Sequence, residues 1–411
     1  MPQNALIYSP GFDGHRQVYV FVITHVLKQL GFNIFIAGNT QQKVYNSFYI
    51  DKLKEQPEIT FIDTSKLAKG GRDITIEEFL KLQDSIEADL TIFPEADFHL
   101  NLLASQILRK KNKLRGRTVG IFMRPFYFYE GGLGVIDKLK YLKHLPSRLK
   151  SDKSLFYEFF LKRFSLLDTA LCIDEYFVIH HPYMKWLPDV FQQYAESIIS
   201  EEKTEERIWI SKLNIFKERN KEKFLFLYFG TAQYRRGYDI LLKLANDTNG
   251  CFVHCGLNDS DVKFDYDTEY LRSNLAKECR LFETNQYIAD PITIENFFKS
   301  TTHLVLPYRK YHGSSGVMLQ ALDFGIPVIA PDEGIIGYRI KKYNLGKTYN
   351  DVDKDNLRLQ FDIFKKTSPA SFEKSIRSYM NFQTVDQLKK VLVNSFTRTK
   401  EFVLPPVLQK A

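Results

Sequence analysis

LVLPYRKYHGSSGVMLQALDFGIPVIAPDEGIIG, residues Leu304–Gly337, has the pattern of one complete structural unit. Its first apolar strand is predicted over Leu304–Leu306 and its second over Pro327–Ala330. Between them, apolar residues at helical spacing predict a helix that begins at Ser314 or Ser315. Strand, loop, helix and strand within about thirty residues form a βαβ unit, and the two strands of such a unit are parallel.

The loop before this helix has the residue types that bind an anion. The amides of Ser315, Gly316 and Val317 lie at the predicted helix start, where they have no intrahelical partner and the helix dipole is positive. We expect them to point into the crevice at the carboxyl ends of the strands, where a phosphate would be held. A plain βαβ unit with a turn of small residues explains the same pattern equally well.

The size and charge of the chain restrict the classes of protein to which it can belong. With 411 residues and 44% apolar residues, the chain is long enough for two well-packed domains. Its 57 Lys and Arg exceed its 49 Asp and Glu, for a net charge of +8. This excess fits anionic ligands or an anionic membrane surface. The basic residues are spread out and no base-reading module is present, so we expect no nucleic-acid partner.

The cysteine pattern favours free thiols over a metal site. Cys251 and Cys255 flank His254, but no further ligands follow at zinc spacing, and Cys172 and Cys279 lie in other segments. We therefore expect no metal, and buried thiols in a reducing compartment. No leader opens the chain and no apolar run approaches membrane-spanning length. The prediction is a cytoplasmic protein that at most touches the inner face of a membrane.

In the first half, residues 4–38 predict strand, glycine loop, helix and strand. Such a loop is the ligand-facing turn of a doubly wound sheet, although it lacks the dinucleotide fingerprint. Gly14, His15 and Arg16 lie in this loop and are candidates to contact an acceptor or a phosphate. A charged helix start that faces solvent explains them equally well.

Two later loops of the first half also follow predicted strands. Glu95, Asp97 and His99 follow one strand and are the best acid and base candidates in this half, although a structural role fits each more readily. Arg124 follows the next strand and is a further acceptor-side candidate.

A basic segment and a polar segment complete the first half. Residues 137–164 alternate Lys and Arg with Leu, Phe and Tyr, so the segment could lie on an anionic bilayer. A solvated face that covers the domain explains it better. The glutamate-rich run over 196–207 suggests a boundary near residue 205. We thus predict domains over 1–205 and 206–385, with a helix over 386–411 that packs back towards the first domain.

The second half has a second anion-binding candidate. Gly230 ends an apolar strand, and Arg235, Arg236 and Gly237 follow at a helix start. In a parallel sheet this loop and the GSSG loop both lie at carboxyl ends of strands, so guanidinium groups and helix-start amides can meet one anion. A pair of surface arginines is the alternative interpretation.

These residues resemble the retaining GT-B glycosyltransferases of the family-four type, also called glycosyl transferases group 1. Gly230, Arg236 and Gly237 match the family's glycine, basic residue and glycine, and the run from Ala321 through Gly325 to Pro327–Val328 matches its Gly-x-Pro-Val segment. The resemblance is specific over about residues 224–348 and only architectural in the first half.

The chain departs from the family pattern at three positions. The paired glutamates of the family correspond to His312 and Gln320, and the basic residue after the glycine corresponds to Thr231. Gln320 can still bind a ribose, because its amide both donates and accepts hydrogen bonds. His312 replaces the glutamate that contacts the transferred sugar, which affects sugar recognition or catalytic efficiency.

The resemblance implies an α/β GT-B fold, with two Rossmann-like doubly wound parallel-sheet domains that face a central cleft. It implies transfer of a sugar from a nucleoside diphosphate to a hydroxyl of a glycan or lipid-linked acceptor. Retention of configuration, no metal and no cofactor beyond the nucleotide-sugar co-substrate are implied as well. Two alternatives remain: a degenerate GT-B protein that only binds a nucleotide sugar, and a nucleotide-sugar epimerase.

The site residues expected on this basis fall into three groups. The catalytic group is Arg236, Arg235, His99 and Glu95. The donor-binding group is Gly230, Thr231, Arg235, Arg236, His312, Gly313, Ser314, Ser315, Gly316, Val317 and Gln320. The acceptor-binding group is Gly14, His15, Arg16 and Arg124.

Overall fold

The structure is a computed structural model and falls into two units. One unit comprises Met1–Asp189 and the C-terminal segment that begins at Thr384, and the other comprises Val190–Gln383. The residues that the structure describes are 2–9, 11–12, 15–40, 48–67, 74–99, 102–103, 114–123, 166–190, 204–221, 223–248, 250–258, 264–288, 290–309, 311, 313–350 and 354–397.

The first unit is built on a sheet whose described strands number seven, all parallel, in the order β3-β2-β1-β4-β5-β6-β7. The strands are β1 (Asn4–Tyr8), β2 (Asn33–Gly38), β3 (Ile59–Asp63), β4 (Leu90–Phe93), β5 (Arg117–Phe122), β6 (Thr169–Cys172) and β7 (Lys185–Trp186). The described helices are α1 (His15–Gln29), α2 (Phe48–Lys54), α3 (Ile76–Ile86), a 3-10 turn over Ala96–His99, and α4 (Glu175–His180).

The second unit has a sheet of six described strands, again all parallel, in the order β10-β9-β8-β11-β12-β13. The strands are β8 (Leu225–Phe229), β9 (Cys251–Cys255), β10 (Leu281–Glu283), β11 (His303–Val305), β12 (Val328–Pro331) and β13 (Gly346–Tyr349). The described helices are α5 (Thr204–Arg219), a 3-10 turn over Tyr234–Arg236, α6 (Tyr238–Thr248), α7 (Tyr266–Lys277), α8 (Pro291–Lys299), α9 (Gly316–Asp323), α10 (Gly334–Tyr343), α11 (Lys354–Lys366) and α12 (Ala370–Met380).

The central strand β8 is apolar along its whole length, as expected for a parallel sheet whose two faces are covered by helices. In β8, LFLYF, the side chains of Phe226 and Leu227 are fully buried. Two parallel doubly wound sheets are the fold class that the sequence predicts, and the structure confirms it.

Strand order fixes the position of the two loops that the sequence singles out. In the second sheet β8 lies between β9 and β11, so the chain reverses its direction of travel across the sheet at β8. Strand β8 pairs in parallel with β11 through His303–Phe226 and Leu304–Leu227. The loops after these two strands therefore leave the same edge side by side, at the switch point where doubly wound sheets bind ligands.

The C-terminal helix α13 (Val385–Thr397) belongs to the first unit and packs on α1. Arg117, at the start of β5, donates hydrogen bonds to the last carbonyls of this helix, those of Ser395 at 2.6 Å and of Phe396. A guanidinium at the C-terminal turn of a helix complements the helix dipole, so these hydrogen bonds stabilise α13.

The two units divide between Asp189 and Val190, whereas the sequence-based boundary lies near residue 205. Helix α5 belongs to the second unit because it packs on α8, and the Glu206 carboxylate accepts a hydrogen bond from the Asp290 amide at 2.7 Å. In the described part of the chain, no helix has the length and apolarity to cross a membrane.

Arg117→Met should lower the free energy of unfolding of the first unit by about 2 kcal/mol, because it removes two charge-assisted hydrogen bonds to α13. Urea unfolding followed by the fluorescence of Trp186, in a Trp209→Phe background, measures this unit. Arg115→Met is the matched control. Arg115 is exposed, and its ion pair with Asp84 has a long N–O distance of 4.0 Å and should contribute little to stability. Equal effects of the two substitutions would show that Arg117 does not hold the helix.

His303 predicts a pH dependence of stability in the second unit. Its imidazole is fully buried among Phe224, Phe226 and Phe364, and burial lowers its pKa from the ordinary 6.5 to about 3. Below pH 6.5 the unfolded chain therefore binds a proton that the folded unit does not. The free energy of unfolding consequently decreases as the pH is lowered.

Between pH 6.5 and 5 this residue alone should cost about 2 kcal/mol of unfolding free energy. His303→Leu should remove that loss, which urea unfolding followed by Trp209 fluorescence can measure. A variant whose stability falls as steeply as that of the unsubstituted chain would contradict the assignment.

Candidate functional site

The turn after β8 depends on two glycines. Gly230 has a φ of +111° and Gly237 a φ of +71°, values that favour glycine. A Cβ at Gly230 would overlap Nη1 of Arg236, and a Cβ at Gly237 would overlap the carbonyl oxygen of Pro307. The glycines therefore let the Arg236 side chain and the neighbouring loop lie directly on the backbone of this turn.

Arg236 is a cation held against the turn without an anionic partner. Its side chain is half-buried, and its guanidinium makes no hydrogen bond or ion pair with any residue that the structure describes. Its charge acts on the buried Tyr228: burial raises the pKa of that hydroxyl, and Arg236 opposes the rise. A guanidinium that has no described ion-pair partner, and that lies against a glycine, is suited to bind a phosphate bidentately.

Arg235 differs from its neighbour, because it is exposed and its Nη2 lies 3.3 Å from the Gln233 side-chain oxygen. The two predicted arginines are therefore not equivalent. Thr231, also predicted on the donor side, is half-buried immediately after Gly230.

A clamp that the sequence did not indicate fixes this turn to the loop after β11. Arg309 forms a bidentate ion pair with Asp239, at 2.7 and 2.6 Å, and its guanidinium lies 3.9 Å from the ring centroid of Tyr234. Its backbone amide also donates to the carbonyl of Arg235 at 3.0 Å. No sequence spacing joins Arg309 to Asp239, seventy positions apart, so only the pairing of β8 with β11 could have revealed the contact.

The loop before α9 leads into a helix start that is capped by Ser315. Ser315 has a φ of +58°, rare for a residue with a side chain, and its hydroxyl accepts a hydrogen bond from the Met318 amide at 3.3 Å. Ser314, Ser315 and Gly316 are buried and Val317 is half-buried. The predicted helix start is confirmed, and its first-turn amides lie at the same sheet edge as Gly230.

The remaining donor-side candidates surround this helix start. Gly313 packs against the Tyr311 hydroxyl, and that ring lies 4.7 Å from the ring of Tyr308. Gln320 is buried one turn into α9. His312 lies outside the described residues.

Behind the glycine turn, the polar side chains of the CFVHC strand make hydrogen bonds within the protein. His254 is fully buried; its Nε2 lies 2.9 Å from the carbonyl oxygen of Gly230 and its Nδ1 3.3 Å from Glu283. The Cys251 thiol donates to Asn220 at 3.3 Å. Across the described ranges, no group of three or more His, Cys, Asp and Glu side chains could hold a metal ion.

In the first unit the structure brings together two candidates that the sequence assigned different roles. Arg16, an acceptor-side candidate, forms an ion pair with the buried Glu95, an acid or base candidate, and lies 4.6 Å from the Phe98 ring centroid. Asp97 accepts a hydrogen bond from the Met123 amide at 2.6 Å. Glu95 and Asp97 thus both make structural contacts.

His99 is fully buried, with its ring 4.9 Å from that of Tyr8 and 5.2 Å from that of Phe93. A substrate could reach it only if this aromatic cluster opened. Gly14 and Arg124 lie outside the described residues, as does the side chain of His15, the first residue of α1.

The sequence itself matches no known family model and no curated protein. Solved structures match over nearly the whole chain. Sucrose-phosphate synthase from Thermosynechococcus elongatus has a TM-score of 0.63 at 13% identity, covering 97% of this chain and 100% of that one. A glycosyltransferase from Rickettsia africae has a TM-score of 0.63 at 11% identity, with 100% of both chains covered.

HepE from Anabaena, solved in complex with UDP, has a TM-score of 0.62 at 11% identity, covering 97% of this chain and 100% of that one. These structures are GT-B proteins, so the predicted resemblance is confirmed at the level of the fold. The chain has the GT-B fold.

The Arg309–Asp239 clamp should show measurable energetic coupling. In a double-mutant cycle with Arg309→Met and Asp239→Asn, we expect a coupling energy of about 1–2 kcal/mol, because the pair is bidentate and largely shielded from water. Urea unfolding followed by Trp209 fluorescence measures each variant. The exposed pair Arg377–Glu373 is the matched control and should couple by less than about 0.5 kcal/mol. Additive effects at the clamp would contradict this assignment.

Proposed function

We propose that this GT-B chain is a glycosyltransferase that moves a sugar from a nucleoside diphosphate to an acceptor hydroxyl. The observation that carries the proposal is Arg236, a half-buried guanidinium without a described partner, held over Gly230 at the switch point of the second sheet. The fold supports the proposal, because the solved structures that share it include a sucrose-phosphate synthase and a glycosyltransferase.

In the proposed reaction the second unit stabilises the leaving group. Negative charge develops on the diphosphate as the bond to the sugar breaks, and donors already aimed at that charge lower the barrier. Arg236 supplies the charge, and the amides of Ser315, Gly316 and Val317 supply further hydrogen bonds at the helix start. Arg235, which is exposed, makes at most an outer contact with the same group.

We propose that transfer proceeds with retention and without a metal. The acceptor hydroxyl attacks on the face that the leaving diphosphate vacates and gives its proton to the departing phosphate oxygen, so no protein nucleophile forms a bond to the sugar. The positive charge that the diphosphate needs comes from Arg236 and the helix start. Gln320, in place of a glutamate, would hydrogen-bond the donor ribose, and His312 replaces the glutamate that contacts the transferred sugar in the family that the chain resembles.

On the acceptor side we propose a glycan or lipid-linked substrate that contacts Arg16, together with Gly14, His15 and Arg124. The Glu95 carboxylate orients Arg16 through their ion pair. A role for His99 in proton transfer is not part of the proposal, because its ring is fully buried.

We place the enzyme in the cytoplasm, where a reducing environment suits its free thiols. Cys172, Cys251 and Cys255 are buried without disulfides, and burial raises the pKa of each thiol, which keeps them unreactive. The basic segment over residues 137–164, outside the described residues, is the proposed site of any peripheral contact with an anionic membrane.

Arg236→Ala should weaken the binding of UDP about tenfold to a hundredfold, because it removes a charge-assisted contact with the diphosphate. UDP is the first probe because a structure of the same fold was solved with it, and GDP, ADP, CDP and TDP complete the panel. Titration calorimetry measures the affinity. Arg377→Ala is the matched control: it removes an equal charge from an exposed face of α12 and should leave affinity unchanged.

Undiminished nucleotide affinity in Arg236→Ala would remove this residue from the site. Binding of none of the five nucleotides to the unsubstituted chain would contradict the proposed function itself. Incubation with nucleotide sugars then separates the alternatives: an epimerase converts the donor sugar without an acceptor, a binding protein leaves it intact, and a transferase needs the acceptor hydroxyl or water.

A further inference from the structure

The carbonyl of Gly230 points into the protein interior, towards a buried histidine. Nε2 of His254 lies 2.9 Å from the Gly230 oxygen, and because a carbonyl can only accept, this nitrogen is the donor in the contact. The space for the contact depends on Gly256, because a Cβ there would overlap the same oxygen. The imidazole and the Gly230 peptide therefore form one tightly packed unit beneath the turn.

The direction of this carbonyl fixes the direction of the next amide. The peptide between Gly230 and Thr231 is trans, as no cis bond occurs in the described backbone, so its N–H points away from its carbonyl. The amide of Thr231 accordingly points away from His254. Among the described residues it donates no hydrogen bond, whereas Gly230 and Ala232 on either side donate to Cys255 and Leu257.

A second layer holds the imidazole in place. Glu283 lies 3.3 Å from Nδ1 of His254 and also accepts hydrogen bonds from the Tyr238 hydroxyl and from Nε of Arg272, the latter at 2.9 Å. Burial alone would raise the pKa of Glu283, but the hydrogen bonds from His254 and Tyr238 and the charge of Arg272 outweigh burial and lower it. The carboxylate therefore stays ionised and anchors the ring from β10.

From this arrangement we propose that His254 is a positioning residue for the donor diphosphate. Resting on the proposed function, the inference adds a specific role: His254 holds the Gly230–Thr231 peptide so that the Thr231 amide and the Arg236 guanidinium are presented to the same phosphate. The basic residue that the GT-B resemblance leads one to expect at position 231 is thus replaced by a backbone donor of fixed direction.

His303, a second buried histidine of the same sheet, makes structural contacts and serves as the comparison for His254. His303 on β11 is equally buried, but its Nδ1 contacts the neighbouring Thr302 hydroxyl, at 2.9 Å, and its ring packs among phenylalanines. It makes no contact with the turn. His303 is therefore the matched control for substitution of His254.

The test is the affinity for UDP, with GDP, ADP, CDP and TDP as further probes, measured by calorimetry at pH 8, where His303 is uncharged. Leucine at His254 removes the donor, and asparagine keeps a polar amide that is too short to reach Gly230. Glutamine restores a donor at the position of Nε2. Thermal unfolding confirms that each variant is folded before titration.

We expect His254→Leu and His254→Asn to bind the nucleotide about tenfold more weakly, in line with the loss of one well-oriented hydrogen bond. His254→Gln should bind within about threefold of the unsubstituted chain, and His303→Leu should bind equally well. If glutamine restores the nucleotide affinity that leucine loses, the effect comes from the hydrogen-bond donor and not from packing, because a buried amide packs no better than leucine.

Unchanged affinity in both His254→Leu and His254→Asn would overturn the inference while leaving the proposed function intact. Equal weakening in His254→Gln and His303→Leu would also overturn it, since any disturbance of the sheet would then weaken binding. If the unsubstituted chain binds no nucleotide of the panel, the proposed function fails, and the inference fails with it. Should His254→Leu not fold, the Asn and Gln variants decide alone.

Discussion

The parallel pairing of β8 with β11 is the constraint on which the candidate site depends. It brings together two loops that are about seventy residues apart in the chain and directs both from the same sheet edge. The ion pair between Arg309 and Asp239 then locks one loop to the other. In the proposed site, an anion at this edge would meet a guanidinium from one loop and helix-start amides from the other.

At this edge of the sheet, some polar groups have hydrogen-bond partners within the protein and others have none among the described residues. Arg309, Glu283 and His254 are held in hydrogen-bonded contacts with other parts of the protein. Arg236 and the Thr231 amide have no partner among the described residues. Both Arg236 and Thr231 are half-buried in this turn, so a bound anion could supply the partner that each group lacks.

Much of this arrangement follows from the sequence, because it is encoded locally. The apolar run of β8, the glycines at 230 and 237, and the helix start at Ser315 each have a local pattern, and the doubly wound sheets follow from the strand and helix alternation. The Arg309 clamp and the His254 contact could not be predicted, because both join elements through the strand order. In the CFVHC strand, periodicity indicates burial of His254 but not the atom that it contacts.

The most direct test of the account is a crystal structure of the protein with bound UDP. We predict that phosphate oxygens lie about 3 Å from the Arg236 guanidinium and from the Thr231 amide nitrogen, and that the Gly230 carbonyl still points to His254. A diphosphate bound at another edge of the second sheet, or one that leaves Arg236 without a contact, would contradict the account.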